Sequence, residues 1–424
     1  MSTHLIRALN AVDWDFSDAR AATGFPHWYP ATFPRELPEA LIQVLTVPGD
    51  LVFDPYGGAG SSASAALRNG RRIFTTDLNP IGNLATYVRS GFELLMLQQP
   101  DHAIDILERV DDLLNRMNRS AATPSLFPAG QPSTTAGCLS KHMRPTPQVM
   151  LKFFLEHGPP HWDALQPWYH PHTLKDIKKL HKGLLGGDLP AFDQLVASLM
   201  VSAVLRTSSS QAKSWGHVAD NAFPSKLVER PFYGLCRRWL SRLAGALRST
   251  HSHGNINSTR QVNCWVLNHD WSTPVPHRER PRSKSTLLVT SPPYCGAIDY
   301  TYGQRLSLYF FGRSSEEIAA LASQEIGARR RRSGATQERR WTEQITEALS
   351  WQVSEVCPGG FAALVVPHKE SRAQNGVFAI DAMMQQMHWR KLIQSDRSIR
   401  QARTRHSWTS IKRETLLVYQ SPEK

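Results

Sequence analysis

The residues best suited to chemistry are Ser291, Pro292, Pro293 and Tyr294, which close the run Ser285-Thr286-Leu287-Leu288-Val289-Thr290. That run is apolar and β-branched, so it reads as a buried strand, and two prolines that cannot donate to a ladder must end it. Ligands in open α/β sheets bind just beyond such strand ends. Ser291 Oγ and the Pro292 carbonyl are acceptors, and their direction is held because proline fixes φ. Tyr294 offers an exposed ring on which a flat heterocycle would stack. The combination suits the exocyclic amine of a nucleobase, a poor nucleophile whose lone pair is delocalised into its ring. Such a base must leave its duplex to be reached. The same four residues also describe an ordinary strand ending, so a second motif is needed.

That motif is Asp50-Leu51-Val52-Phe53-Asp54-Pro55-Tyr56-Gly57-Gly58-Ala59-Gly60-Ser61-Ser62. An apolar strand enters a glycine-rich turn, where Gly57, Gly58 and Gly60 let backbone approach a ligand closely. Ser61 and Ser62 then open a helix, whose N-terminus favours a carboxylate or phosphate. The next strand, Arg72 to Thr76, is closed by Asp77. Its distance from Asp54 along the chain is that expected of a carboxylate that holds ribose hydroxyls. No Gly-Lys-Ser/Thr follows the turn, which argues against a P-loop.

Together the two motifs resemble those of the bacterial DNA amino-methyltransferases, especially the cytosine-N4 branch, whose catalytic motif begins with Ser rather than Asp or Asn. Asp54-Pro55-Tyr56 resembles the start of the S-adenosylmethionine loop in that family. His27-Trp28-Tyr29-Pro30-Ala31-Thr32-Phe33-Pro34 resembles the preceding segment, which implies that Tyr29, Pro30 and Phe33 help hold the methionine end of the cofactor. Asp77-Leu78-Asn79-Pro80 resembles the acidic element that follows. Val266-Leu267-Asn268-His269-Asp270 resembles the element that contacts the adenine amino group, and the other reading of Asp270 is a cap on a strand-to-loop turn. The resemblance implies S-adenosylmethionine as cofactor and double-stranded DNA as partner. It also implies methyl transfer to cytosine N4, in a restriction-modification or related setting with a possible cognate endonuclease. Adenine N6 is the alternative target, because the two amines are geometrically alike. A catalytically silent DNA-binding protein is the alternative of another class.

To position these motifs the chain needs one α/β doubly wound, mostly parallel sheet, Rossmann-like as in class I S-adenosylmethionine-dependent methyltransferases. Its further strands are expected at Phe361 to Val366 and Thr415 to Tyr419, the last pairing antiparallel with the Ile393 region. Residues 1–100 form the cofactor-binding half, 101–260 a largely helical insert and candidate target-recognition region, and 261–424 the catalytic half. Asp270 falls after the insert, a departure from the family arrangement. Within the insert, Ser120 to Pro147 reads as a linker or mobile loop. Helices are expected at Leu151 to Leu155, Thr173 to Leu185 with Thr173 as cap, Phe192 to Leu205 and Leu227 to Leu247. Ser315 to Ile326 is a further helix beyond the catalytic motif.

A net charge of +13 suits a polyanionic partner, since phosphate contacts supply most non-specific affinity for DNA. Three basic segments are candidates for that contact. Arg206 to Lys213 reads as a polar loop able to lie along phosphates. Arg329, Arg330, Arg331 and Arg332, with Arg339 and Arg340 behind them, cannot be a core feature. Arg397, Arg400, Arg403 and Arg405, with His406 and Trp408, suit a groove for an unpaired strand. The five cysteines have no paired spacing, so neither a disulfide framework nor a metal site is expected. Cys295 follows a tyrosine, not a proline, and does not resemble a cytosine-C5 nucleophile. No apolar run is long enough to span a bilayer, and a soluble cytoplasmic protein without a membrane partner is expected.

Overall fold

The structure is a computed structural model that describes residues 2–16, 25–27, 29, 34–118, 136–211, 223–251, 262–296, 299–328, 334–368, 373–398 and 413–423. Eight strands form one sheet: β1 (Leu51–Asp54), β2 (Arg72–Asp77), β3 (Met143–Arg144), β4 (Cys264–Asn268), β5 (Ser285–Thr290), β6 (Val356–His368), β7 (Arg390–Ser398) and β8 (Arg413–Gln420). Their order is β3-β4-β2-β1-β5-β6-β8-β7. Every neighbouring pair is parallel except β6 with β8 and β8 with β7. The chain moves outward from β1 through β2 to the edge strand β3, steps back to place β4 between β3 and β2, then returns to lay β5 beside β1. The order therefore reverses between β1 and β5, and a crevice opens beyond their carboxyl ends. This is the doubly wound, mostly parallel α/β sheet expected from the motifs, with the Ile393 region antiparallel to β8.

Side-chain alternation explains why the central strands are apolar throughout. Val52, Leu287, Val289, Ala363 and Val365 point to one face, while Leu51, Phe53, Leu288, Ala362 and Leu364 point to the other. Both faces are covered by helices, so both sets must be apolar. Helices Glu36–Leu45, Ser61–Arg68 and Pro80–Gln98 cover the first face, and Gly334–Ser354 and Ala373–Gln386 cover the second. Among the described residues no helix is long and apolar enough to cross a membrane.

The helices of residues 100–251 share the apolar cluster of the first face. Contact is close: a Cβ on Gly91 of Pro80–Gln98 would lie 2.3 Å from the ring of Phe192 in helix Ala191–Ser208. Two ion pairs with fully buried aspartates clamp this layer. Arg109 Nε lies 2.5 Å from Asp193 Oδ2, and Arg237 Nε lies 3.2 Å from Asp111 Oδ1.

Several boundaries differ from the sequence expectation for identifiable reasons. Residues 136–144, expected as linker, form helix Ala136–His142 and β3, because Met143 is fully buried and His142 Nδ1 bonds Val262 O at 2.9 Å. Thr173 is no cap: helix Pro171–Leu185 starts earlier, and buried Thr173 instead holds the backbone of Arg230. The helix expected from Leu227 runs Phe232–His251, since Pro231 disfavours helical backbone in the residue before it. Helix Ala191–Ser208 continues through Arg206, so the expected basic loop is helical at its start.

Removing one partner of a buried pair strands the other charge. Arg109→Ala is therefore expected to lower unfolding free energy by roughly 3–5 kcal/mol at neutral pH, as measured by urea denaturation. A loss below about 1 kcal/mol, typical of an exposed pair, would show that Asp193 does not depend on Arg109.

Candidate active site

Asp54 ends β1 and is only 3% exposed. Its Oδ1 accepts a bond from Thr290 Oγ1, the last residue of β5, at 2.6 Å, and another from the Tyr56 amide at 3.1 Å. Burial raises the Asp54 carboxyl above its ordinary pKa, while the bonds from Thr290, Ser62 and Tyr56 oppose that rise. Asp54, which leads into the glycine-rich turn, is thus tied directly to the residue that precedes Ser291.

The glycine-rich turn that follows has no room for side chains. Gly57 donates its amide to Thr76 O at 2.9 Å, and a Cβ there would lie 2.0 Å from Thr75 Oγ1. Gly60 precedes helix Ser61–Arg68 in left-handed backbone, φ 75°, with Thr86 3.0 Å from its Cβ position. The Gly58 amide donates to Asp77 Oδ2 at 2.7 Å, which binds the turn to the end of β2. Asp77 Oδ1 also accepts the Asn79 amide at 2.8 Å. Burial pushes the Asp77 carboxyl up to about 6, although the bonds from Asn79, Gly58 and Tyr29 favour its ionised form. Tyr29 lies under the turn, buried, with its ring against Gly58 and Gly82.

These elements wall a cleft of about 860 Å³, part of it open to solvent. Tyr29, Asp54, Pro55, Tyr56, Gly57, Gly58, Ser61, Asp77, Ser291 and Pro293 all line it, so parts of both motifs meet in one space. Gly60 stands behind the turn. Pro292 and Tyr294 are buried away from the cleft, and Pro293 O accepts a bond from Trp341 Nε1 at 2.8 Å. Asp270 does not line the cleft either: its Oδ1 accepts the Ser272 amide at 3.0 Å, the capping reading. Its neighbours His269 and Trp271 do line it, as do Asn79, Tyr300, Thr301 and Glu325. An aromatic residue directly after a strand-ending carboxylate was the one signal for Trp271. Glu325 carries none in the sequence, because it reaches the cleft through a bond from the Thr301 amide that only the fold creates.

Tyr294 was expected as an exposed ring and is 6% exposed. Its hydroxyl donates to Glu414 Oε1 at 2.5 Å, and Glu414 Oε2 meets Arg397 Nη1 at 2.5 Å. Arg397 Nε in turn donates to Trp14 O at 3.1 Å. Burial and the adjacent Glu414 carboxylate push the Tyr294 phenol well up, and Ser291 bonds it as well. In this conformation the ring anchors the motif from behind, and to stack on a base it would have to leave that seat.

The basic segments divide. Arg206 is half-buried in its helix, and burial lowers its pKa. Arg397 is 5% exposed and committed to Glu414, so it is not available to a phosphate. Arg339 is exposed and pairs with Glu343 one turn on. Pro30, Phe33, Lys213, Arg329, Arg330, Arg331, Arg332, Arg400, Arg403, Arg405, His406 and Trp408 lie outside the described residues.

Comparison with a family model bears on the glycine-rich motif. Residues 12–82, which hold Tyr29, the glycine-rich turn and Asp77, match the N6/N4 methyltransferase family model, described as DNA methylase. The chain is also 36% identical over 90 residues to the Type II methyltransferase M.PvuII of Proteus hauseri, a match spanning 21% of this chain and 24% of that protein. Among solved structures, two of the rRNA methyltransferase aviRa from Streptomyces viridochromogenes align over 97% of this chain and 94% of theirs. Their TM-scores are 0.31 and 0.33 at 11% and 12% identity, too distant to bear on fold or function.

The Asp77 pKa gives the site a pH signature. A carboxyl whose pKa is raised on folding carries its charge only above the raised value, and acceptance from ligand hydroxyls is strongest in that form. Affinity for S-adenosylhomocysteine, measured by calorimetry, is expected to be level above pH about 6 and to fall below it. Asp77→Asn should bind more weakly and without that dependence. A wild-type profile that stays flat through this range would remove Asp77 from the ligand.

Proposed function

We propose that the chain is an S-adenosylmethionine-dependent DNA methyltransferase that modifies the N4 amine of cytosine in double-stranded DNA. The observation that carries this reading is the convergence of the glycine-rich turn and Ser291 on one cleft, fixed by the bond between Asp54 and Thr290. The family match over residues 12–82 supports it from the side of the turn, and the partial likeness to a type II methyltransferase adds to it. A restriction-modification or related setting, a cytoplasmic location and a cognate endonuclease belong to the same reading.

The residues present fit the cofactor. Gly57 and Gly58 expose bare backbone, and helix Ser61–Arg68 points its N-terminus at the space. Asp77 offers an acceptor for ribose hydroxyls, with Tyr29 bonded to it, His269 beside it through an amide bond to Asp77 O at 3.1 Å, and Trp271 also in the cleft lining. When bound, S-adenosylmethionine supplies a methyl already made electrophilic by its sulfonium.

The chain must then supply alignment and acceptors. Ser291 Oγ, at the cleft wall, accepts from the amine and stabilises the positive charge that develops on it. The rigid Thr290-to-Pro293 backbone holds that acceptor at a fixed distance from the turn. No strong base stands in the motif, so the amine proton passes to solvent.

Unmethylated duplex DNA incubated with labelled cofactor and digested to nucleosides is expected to yield N4-methylcytosine. N6-methyladenine alone would replace cytosine with the adenine reading, and cofactor binding without any label would favour a silent DNA-binding protein. Ser291→Ala should lower turnover about 10²-fold with cofactor affinity retained. Equal loss of both would place Ser291 in the cofactor site instead.

A further inference from the structure

Away from the cleft, one group of metal-ligating side chains converges among the described residues. His170, His172 and Glu229 each place a donor atom within 4.8 Å of the others. His170-Pro171-His172 opens helix Pro171–Leu185, and Pro171 fixes the backbone between the two rings, which stand 5.2 Å apart at 87°. Glu229 arrives from the strap that precedes helix Phe232–His251, and both its neighbours are pinned. The Val228 amide donates to Ser210 Oγ at 2.8 Å, and the Arg230 amide donates to Thr173 Oγ1 at 3.0 Å. Thr173 also donates to Arg230 O at 3.2 Å. The carboxylate is therefore held beside the imidazoles by bonds in which it takes no part.

The spacing is close to that of a bound ion. Glu229 Oε2 lies 3.5 Å from His172 Nδ1 and 3.9 Å from His170 Nδ1. A tetrahedral zinc-type ion with bonds of about 2.0–2.1 Å holds adjacent donors about 3.3–3.4 Å apart. The first separation needs to close by about one or two tenths of an ångström and the second by about half an ångström; the imidazole donors stand within 4.8 Å of each other, and the side chains are exposed enough to move. The one bond displaced is the long contact from the His172 amide to His170 Nδ1, 3.3 Å. Asp176 lies within electrostatic reach of His172 and Glu229 and adds negative charge, with Lys175 and Lys179 opposing it.

We propose that His170, His172 and Glu229 bind one divalent transition-metal ion of the zinc type, water completing its shell. Two imidazoles and a carboxylate favour zinc, copper or nickel over magnesium and calcium. The ion ties the strap of residues 223–231 to the start of helix Pro171–Leu185. The sequence hides the site because Glu229 is remote from the histidines along the chain, and the inference stands independently of methyl transfer.

The test is titration of the metal-free, full-length protein with ZnCl2 against a chromophoric chelator, with circular dichroism as a check on folding. One ion is expected to bind, with affinity reduced roughly tenfold or more in His172→Ala and in Glu229→Gln, both mostly exposed positions. Excess Mg²⁺ should not displace it. Absence of binding, or binding equally strong in both variants, which would mark adventitious capture elsewhere, overturns the proposal.

Discussion

The buried bond from Thr290 Oγ1 to the Asp54 carboxylate joins the carboxyl ends of β1 and β5, and both chemistry-bearing motifs hang from those two ends. Parallel pairing already sets β1 beside β5, with Val52 opposite Leu287 and Phe53 opposite Leu288. Sheet pairing alone does not fix where the chain goes once the strands stop. A carboxylate kept from water needs every partner it can reach, so Asp54 draws in Thr290 from one motif and Tyr56 from the other. The turn and the Ser291-to-Pro293 segment are thereby brought into the lining of one cleft. Loss of one acceptor position there would be felt in both.

A second brace acts from behind the Ser-Pro-Pro-Tyr segment. Tyr294, Glu414, Arg397 and the Trp14 carbonyl form a chain of bonds from the motif to β8, to β7 and to the N-terminal segment. A buried ion pair is weak evidence of stability by itself, because desolvation offsets much of the attraction. Its effect here is positional: it fixes the tyrosine and, through it, the backbone that presents Ser291. The same pair sits at the base of the β7-β8 connection, at Arg397 and Glu414, the residues at or beside the ends of the two strands.

The fold was legible in the sequence because each central strand is a short apolar run ended by glycine, proline or a carboxylate, and both faces of a parallel sheet are buried. β3 was not legible, since a two-residue strand carries no periodicity and depends on Met143 meeting a pocket made by distant helices. Of the site, the residues that touch the cleft through backbone geometry, such as Gly57 and Gly58, followed from their type alone. Those placed by long-range side-chain bonds did not. Tyr294 read as exposed because Glu414, its partner, lies far along the chain, and Arg397 read as DNA-facing for the same reason. Asp270 had two readings, contact with an adenine amino group and a cap on a strand-to-loop turn, and the bond from the Ser272 amide fits the cap.

If the proposed reading holds, the Asp54–Thr290 bond aligns the glycine-rich turn with Ser291, beyond stabilising the sheet. Thr290→Val keeps the shape of the side chain and removes the hydroxyl, so the direct measurement is single-turnover methyl transfer to DNA by this variant, with S-adenosylhomocysteine affinity measured in parallel. The expected result is a fall of about 10²-fold in the transfer rate constant with affinity changed far less, as misplacement of about an ångström would produce. An unchanged rate constant in a folded variant would contradict it.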